Sequence, residues 1–157
     1  MNYPIKKHYF ITTFLLLCLI YFSSFSKKEV YNAIKNKNNT QIESLLIQIQ
    51  KSNSLDKEAY YAASLMFHAQ FLKEPKSRLE QFKKGKNLLE NAILKNEAAY
   101  EYRFLRLMIQ EHAPAILKYN NNIEEDIKVI KNNFTKIPEN IQKCIEDYAK
   151  ISKNLKP

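Results

Sequence analysis

Only one glycine, Gly85, occurs in this chain of 157 residues, alongside five prolines. Tight hairpin turns need residues at positive φ, most readily glycine, so a chain this poor in glycine has little means of building sheets. Apolar residues recur three and four apart, which is the period of an amphipathic helix. No stretch alternates convincingly with period two. The expectation is an all-α fold of antiparallel helical hairpins, stacked as an array or closed into a compact bundle of about six helices.

Local signals place these helices. Lys27 to Lys37 suits a short first helix. Thr40-Gln41-Ile42-Glu43 has capping-box spacing and opens a second, buried through Ile42, Leu45, Leu46 and Ile49. Ser54 or Asp56 caps a third that runs to about Leu72; it is apolar nearly all round and is therefore expected at the centre. A fourth runs from Lys76 to Lys95 with Leu79, Phe82, Leu88, Leu89, Ala92 and Ile93 inward. Gly85 lies on that face, and because glycine inside a helix costs about 1 kcal/mol against alanine, a neighbouring backbone is expected to pack against it. A fifth helix spans Ala98 to Ala113 and stops near Pro114. Asn122 then caps a helix with Glu124, Glu125 and Asp126 in its first turn, opposing the helix dipole, and Ile123, Ile127, Ile130 and Phe134 form its apolar stripe. Pro138 starts a last helix with Ile141, Cys144, Ile145, Tyr148 and Ile151 on one face.

The first 26 residues have the layout of an export signal. Lys6 and Lys7 form a basic start, Tyr9 to Phe22 is free of charge, and Ser24-Phe25-Ser26 offers the small-x-small pattern of a cleavage site. The apolar run is shorter than the roughly 20 residues of a bilayer span. Residues 1–26 are therefore expected to be a signal peptide cut after Ser26, or else a short membrane anchor, and residues 27–157 a single helical domain. Leu17 and Leu19 beside Cys18 do not suit lipoprotein processing, and removal of residues 1–26 leaves Cys144 as the one cysteine, with no disulfide. Residues 27–157 carry 23 basic and 16 acidic residues. Over the whole chain lysine outnumbers arginine 22 to 3, and no recognition motif or aromatic-interleaved basic strand is present, so nucleic acid is not expected as a partner.

Phe82-Lys83-Lys84-Gly85-Lys86-Asn87-Leu88-Leu89-Glu90-Asn91-Ala92-Ile93 resembles the second helix of a tetratricopeptide (TPR) motif, with Gly85 and Ala92 at its small-residue positions and Glu97 where its closing proline is expected. The stretch Glu101 to Pro114 adds a resemblance to exported bacterial helical proteins of unknown function. These resemblances imply a helical-hairpin fold and an exported location, and they imply no activity.

Chemistry is sparse. The single glycine sits in a helix, so there is no P-loop, Rossmann turn or nucleophile elbow. Met108 stands where a zinc-binding helix ending at His112 would need a second histidine; His68, His112 and Cys144 are read as structural. No catalytic residue, metal ligand or cofactor is assigned. Tyr100, Tyr102, Phe104, Leu105, Leu107, Met108 and Ile109 cover most of the fifth helix and leave a strip held by Arg103, Arg106 and Gln110. Arginine where lysine is the compositional default points to a geometric need: an anion bound bidentately, or an internal pair with Glu90 or the Glu124 to Asp126 cluster. Lys73 to Lys86 holds six basic and two acidic residues, a solvated face or a contact for anions.

The expected function is a non-enzymatic interaction or scaffold module of the cell envelope, most simply periplasmic, its partner another envelope protein and its membrane contact limited to the N-terminal segment. Tyr60, Phe67 and Phe71 are its candidate partner-binding residues. The alternatives are a module holding an anionic small ligand on Arg103 and Arg106, an inner-membrane-anchored body outside the cytoplasm, and an enzyme with an unrecognised site.

Overall fold

The computed structural model describes residues 24–156. The expectations on Met1 to Ser23, including the apolar run and Cys18, lie outside them. Helix α1, Lys27–Lys35, begins where the Ser26 hydroxyl accepts the Glu29 N–H, and it ends where Lys37 takes the left-handed conformation, φ 54°. That is the position usually given to glycine at a helix end, and a glycine-poor chain fills it with lysine at a cost of about 1 kcal/mol.

Helix α2, Asn39–Lys51, is capped by Asn38, whose side-chain oxygen accepts the Gln41 N–H. The cap expected at Thr40 is thus moved two residues back, because Asn38 closes the turn that leaves Lys37. Helix α3, Lys57–His68, starts at Asp56 with no side-chain cap, since that carboxylate is engaged by Lys27 and Tyr102. Ser54 supports the same turn by accepting the Asp56 N–H. A 3-10 turn, Ala69–Phe71, leads to α4, Pro75–Lys95, which has proline in its first turn where a missing N–H is harmless.

Helix α5, Tyr100–His112, ends before Pro114 and a 3-10 turn at Ala115–Leu117. Helix α6, Ile123–Asn132, and helix α7, Glu139–Ala149, complete the order, separated by a 3-10 turn at Phe134–Lys136. At the start of α6 the Asn122 side chain makes no capping bond; its amide donates to Glu125 instead.

The protein is an all-helical bundle. Helix α3 is central and meets α1, α2, α4 and α5, which is why its buried residues run almost unbroken from Ala59 to Phe67. Helix α4 returns antiparallel along α3 with Gly85 at the closest approach: a Cβ there would lie 2.5 Å from Met66 Cγ and 2.7 Å from the Ala62 carbonyl oxygen. Near the start of α5 Glu101 meets Tyr60, and at its end His112 meets Phe67, so α5 runs parallel to α3. Helix α6 packs on α5, and α7 comes back to α1, where Lys35 pairs with Asp147. The two ends of the described chain therefore close on each other.

Two expected core positions fall outside the core. Leu79 is 41% exposed because the first turns of α4, up to Glu80, project past the end of the bundle. Ile151 is exposed because α7 stops at Ala149 and the chain then turns toward Glu111. That carboxylate accepts from Tyr148, from the Ser152 hydroxyl, and from both the backbone and side-chain amides of Asn154, fastening the C-terminal tail to α5. Among the described residues no helix is long and apolar enough to cross a membrane.

Candidate functional site

The arginine strip of α5 is turned inward. Arg106 is 3% exposed, and its Nε and Nη2 donate to the two oxygens of Asp126 at 2.7 and 2.6 Å. Its Nη1 reaches Glu90 on α4 at 2.6 Å, and the Tyr119 hydroxyl donates to the other Glu90 oxygen at 2.5 Å. Arg106 thus ties α4, α5 and α6, and Glu90 adds the segment before α6 through Tyr119. Arg103 lies one turn nearer the solvent and donates to Glu125 at 3.1 Å and Asp126 at 3.5 Å.

Desolvation acts against the charge on Arg106, but the Asp126 and Glu90 carboxylates more than offset it and hold the guanidinium well above its ordinary pKa. Burial pushes the Asp126 carboxyl up, and Arg106 opposes that rise. Both arginines therefore have internal anionic partners in place of a free anion. Gln110, the third member of the strip, is also buried, and neither end of its amide has a partner among the described residues. It borders a small recess of about 180 Å³ with Glu111, Tyr119, Asn120 and Asn154.

Tyr60 is 0% exposed and belongs to a second internal network rather than to a surface. Its hydroxyl donates to Glu101 at 3.0 Å, so the Tyr31 hydroxyl 2.5 Å away is left to donate to it. Lys27 bridges Glu101 and Asp56 at 2.6 and 2.5 Å, and the Tyr102 hydroxyl donates to Asp56. Burial first, then the neighbouring carboxylate and phenol, push the Tyr60 hydroxyl far above its usual pKa. The sequence offered no periodic signal for this network, because its members come from three helices and two helix ends.

Phe67 and Phe71 lie at the opposite end of α3, and their rings stack edge to face at 5.7 Å. Phe67 lines a half-open groove of about 500 Å³ between the end of α3, the projecting start of α4 and the segment that follows α5. Met66, Phe82 and Ile109 form the floor, while Leu79 and the 87% exposed Ile116 form its lips. The polar side chains in its lining are Gln70, Arg78 and His112. Of the six residues singled out in the sequence, only Phe67 lines this groove; Phe71 stacks behind it. Arg78 was singled out only as part of the basic stretch Lys73 to Lys86, and a groove at Leu79 and Ile116 was not anticipated, since a helical pattern cannot show that α4 outruns its neighbours.

The histidines and the cysteine of the described residues each have a hydrogen-bond partner. The His112 Nδ1–H donates to the Met108 carbonyl, His68 lies between Glu43 and Gln81, and the Cys144 thiol donates to the Asn140 carbonyl, its pKa raised by burial. Among the described residues no three His, Cys, Asp or Glu side chains are grouped to hold a metal ion. No family model, no curated protein and no solved structure matches this chain.

Proposed function

We propose that this chain is a non-enzymatic interaction module exported to the cell envelope, most simply the periplasm, and that the groove between α3, α4 and α5 is its binding face. The observation that carries the reading is that groove: an apolar concavity kept open by the overhang of α4, while among the described residues the guanidinium of Arg106 and the hydroxyl of Tyr60 are paired internally. Soluble proteins seldom leave such a surface uncovered unless something docks there. The resemblance of the α4 sequence to a TPR helix supports the same class by analogy of fold. The partner is another envelope component that presents an apolar element.

A photo-crosslinking amino acid at Leu79, compared in intact cells with the same group at Leu94 outside the groove, tests this. One dominant adduct from Leu79 and none from Leu94 is expected. Equal, diffuse labelling from both positions overturns the reading.

One observation favours a second reading of location, in which the N-terminal segment is kept as an inner-membrane anchor. Phe25 is 6% exposed with its ring 5.2 Å from that of Tyr60, and Ser26 caps α1. Cleavage after Ser26 would remove both.

A further inference from the structure

The groove's own chemistry limits what fills it, and the argument rests on reading the groove as the binding face. We infer that it holds the acyl chain of a free long-chain carboxylate, with the anionic head on Arg78. Its volume, about 500 Å³, lies within the range of small-ligand sites. An extended peptide would bring a backbone N–H and C=O at every residue into a lining whose polar side chains are Gln70, Arg78 and His112, and would leave most of them unpaired. An acyl chain carries no polar group along its length. Met66 on the floor is a flexible side chain that adapts to such a chain.

Charge selects the head group. Among the described residues no carboxylate lines the groove. Arg103 and Arg106 are each paired with acids, whereas Arg78 has no carboxylate partner among the described residues. Its Nε donates to the Leu72 carbonyl, which fixes the guanidinium against the turn between α3 and α4. The two terminal nitrogens make no hydrogen bond among the described residues, and such a fork matches a carboxylate bidentately.

The test uses the full chain in membrane vesicles and two probes, a 16-carbon carboxylate and the matching 16-carbon alcohol, each with a diazirine at mid-chain. Adducts are mapped by mass spectrometry. The expected result is labelling of the peptides that carry Leu79 and Ile116, stronger with the carboxylate. Arg78→Gln should lower carboxylate labelling about three- to fivefold, the scale of a solvent-accessible charge pair, and leave alcohol labelling unchanged. Leu79→Asp, at an exposed position, should lower labelling by both probes.

Equal labelling by the two probes, indifferent to Arg78→Gln, overturns the assignment of the head group. Adducts confined to residues 1–23 or scattered over the surface overturn the site. A protein captured from Leu79 in cells, with no amphiphile labelling, overturns this occupant while the binding face stands; failure of both experiments removes both.

Discussion

Asp126 is wholly buried with both carboxylate oxygens held by Arg106, so the loss of that guanidinium strands a charge away from water. Arg106→Met is expected to cost about 3 to 5 kcal/mol, measured by denaturant unfolding. The double variant Arg106→Met, Asp126→Leu should recover most of the loss, because a buried ion pair contributes little more than well-packed apolar side chains of similar size. An additive double variant would show that the pair is not the source of the cost. Arg103→Lys, at a partly exposed pair with Glu125, should change stability by less than about 1 kcal/mol. Gly85 gives the complementary case, where the missing atom matters. Alanine gains helix propensity of about 1 kcal/mol, but its Cβ would press on the Ala62 backbone and Met66, at a cost of about 1 to 3 kcal/mol. A lowered melting temperature for Gly85→Ala is expected, and a raised one would mean that α3 and α4 separate readily. Both features were visible in the sequence as rare residue types on a helical pattern. Glu90 and the Glu124 to Asp126 cluster were also legible as internal partners for the arginines; that Arg106 takes Glu90 and Asp126 together was settled only by the packing of α4 and α6 on α5.

At the scale of elements, the start of α1 bears on the chain's processing. Ser26 caps α1 and Phe25 supplies a core ring, so the folded body takes in the two residues before the boundary expected at Lys27. Phe25→Ala should destabilise by about 3 to 5 kcal/mol and Ser26→Ala by about 1 kcal/mol, read from thermal melts. The proposed anchor predicts that the envelope-isolated protein retains residues 25 and 26 by intact mass; a mature terminus at Lys27 would count against it. Small-x-small spacing and core membership both select the Ser24 to Ser26 stretch, and periodicity cannot separate them. The opposite end of the bundle teaches the same lesson. Leu79 has the spacing of a buried residue, but none of the described residues lies beneath the first turns of α4 to bury it.

For the whole molecule, carboxylates act as long-range ties, and acid is expected to loosen them. Burial would raise the Asp56 carboxyl, but hydrogen bonds from Lys27 and Tyr102 outweigh it and hold the pKa below its ordinary value. At Glu111 burial is likewise outweighed, by Tyr148, Ser152 and Asn154. A carboxyl depressed by folding adds stability above its unfolded pKa, and that stability is lost as the pH falls through the folded value. Asp126, raised by folding, works the other way. The melting temperature should therefore hold between about pH 5 and 7 and fall below about pH 4, more shallowly in Asp56→Asn and Glu111→Gln. A midpoint unchanged down to pH 2 would show that these ties add no stability.

The sequence alone determined the helical class, the order of the helices and the central place of α3, because glycine poverty and the spacing of apolar residues act locally on each segment. The tertiary structure decided which charges are satisfied, where the helices outrun one another and hence where the groove opens. Those outcomes depend on pairs such as Arg106 with Asp126 and Phe67 with Ile109, which the chain brings together only by folding.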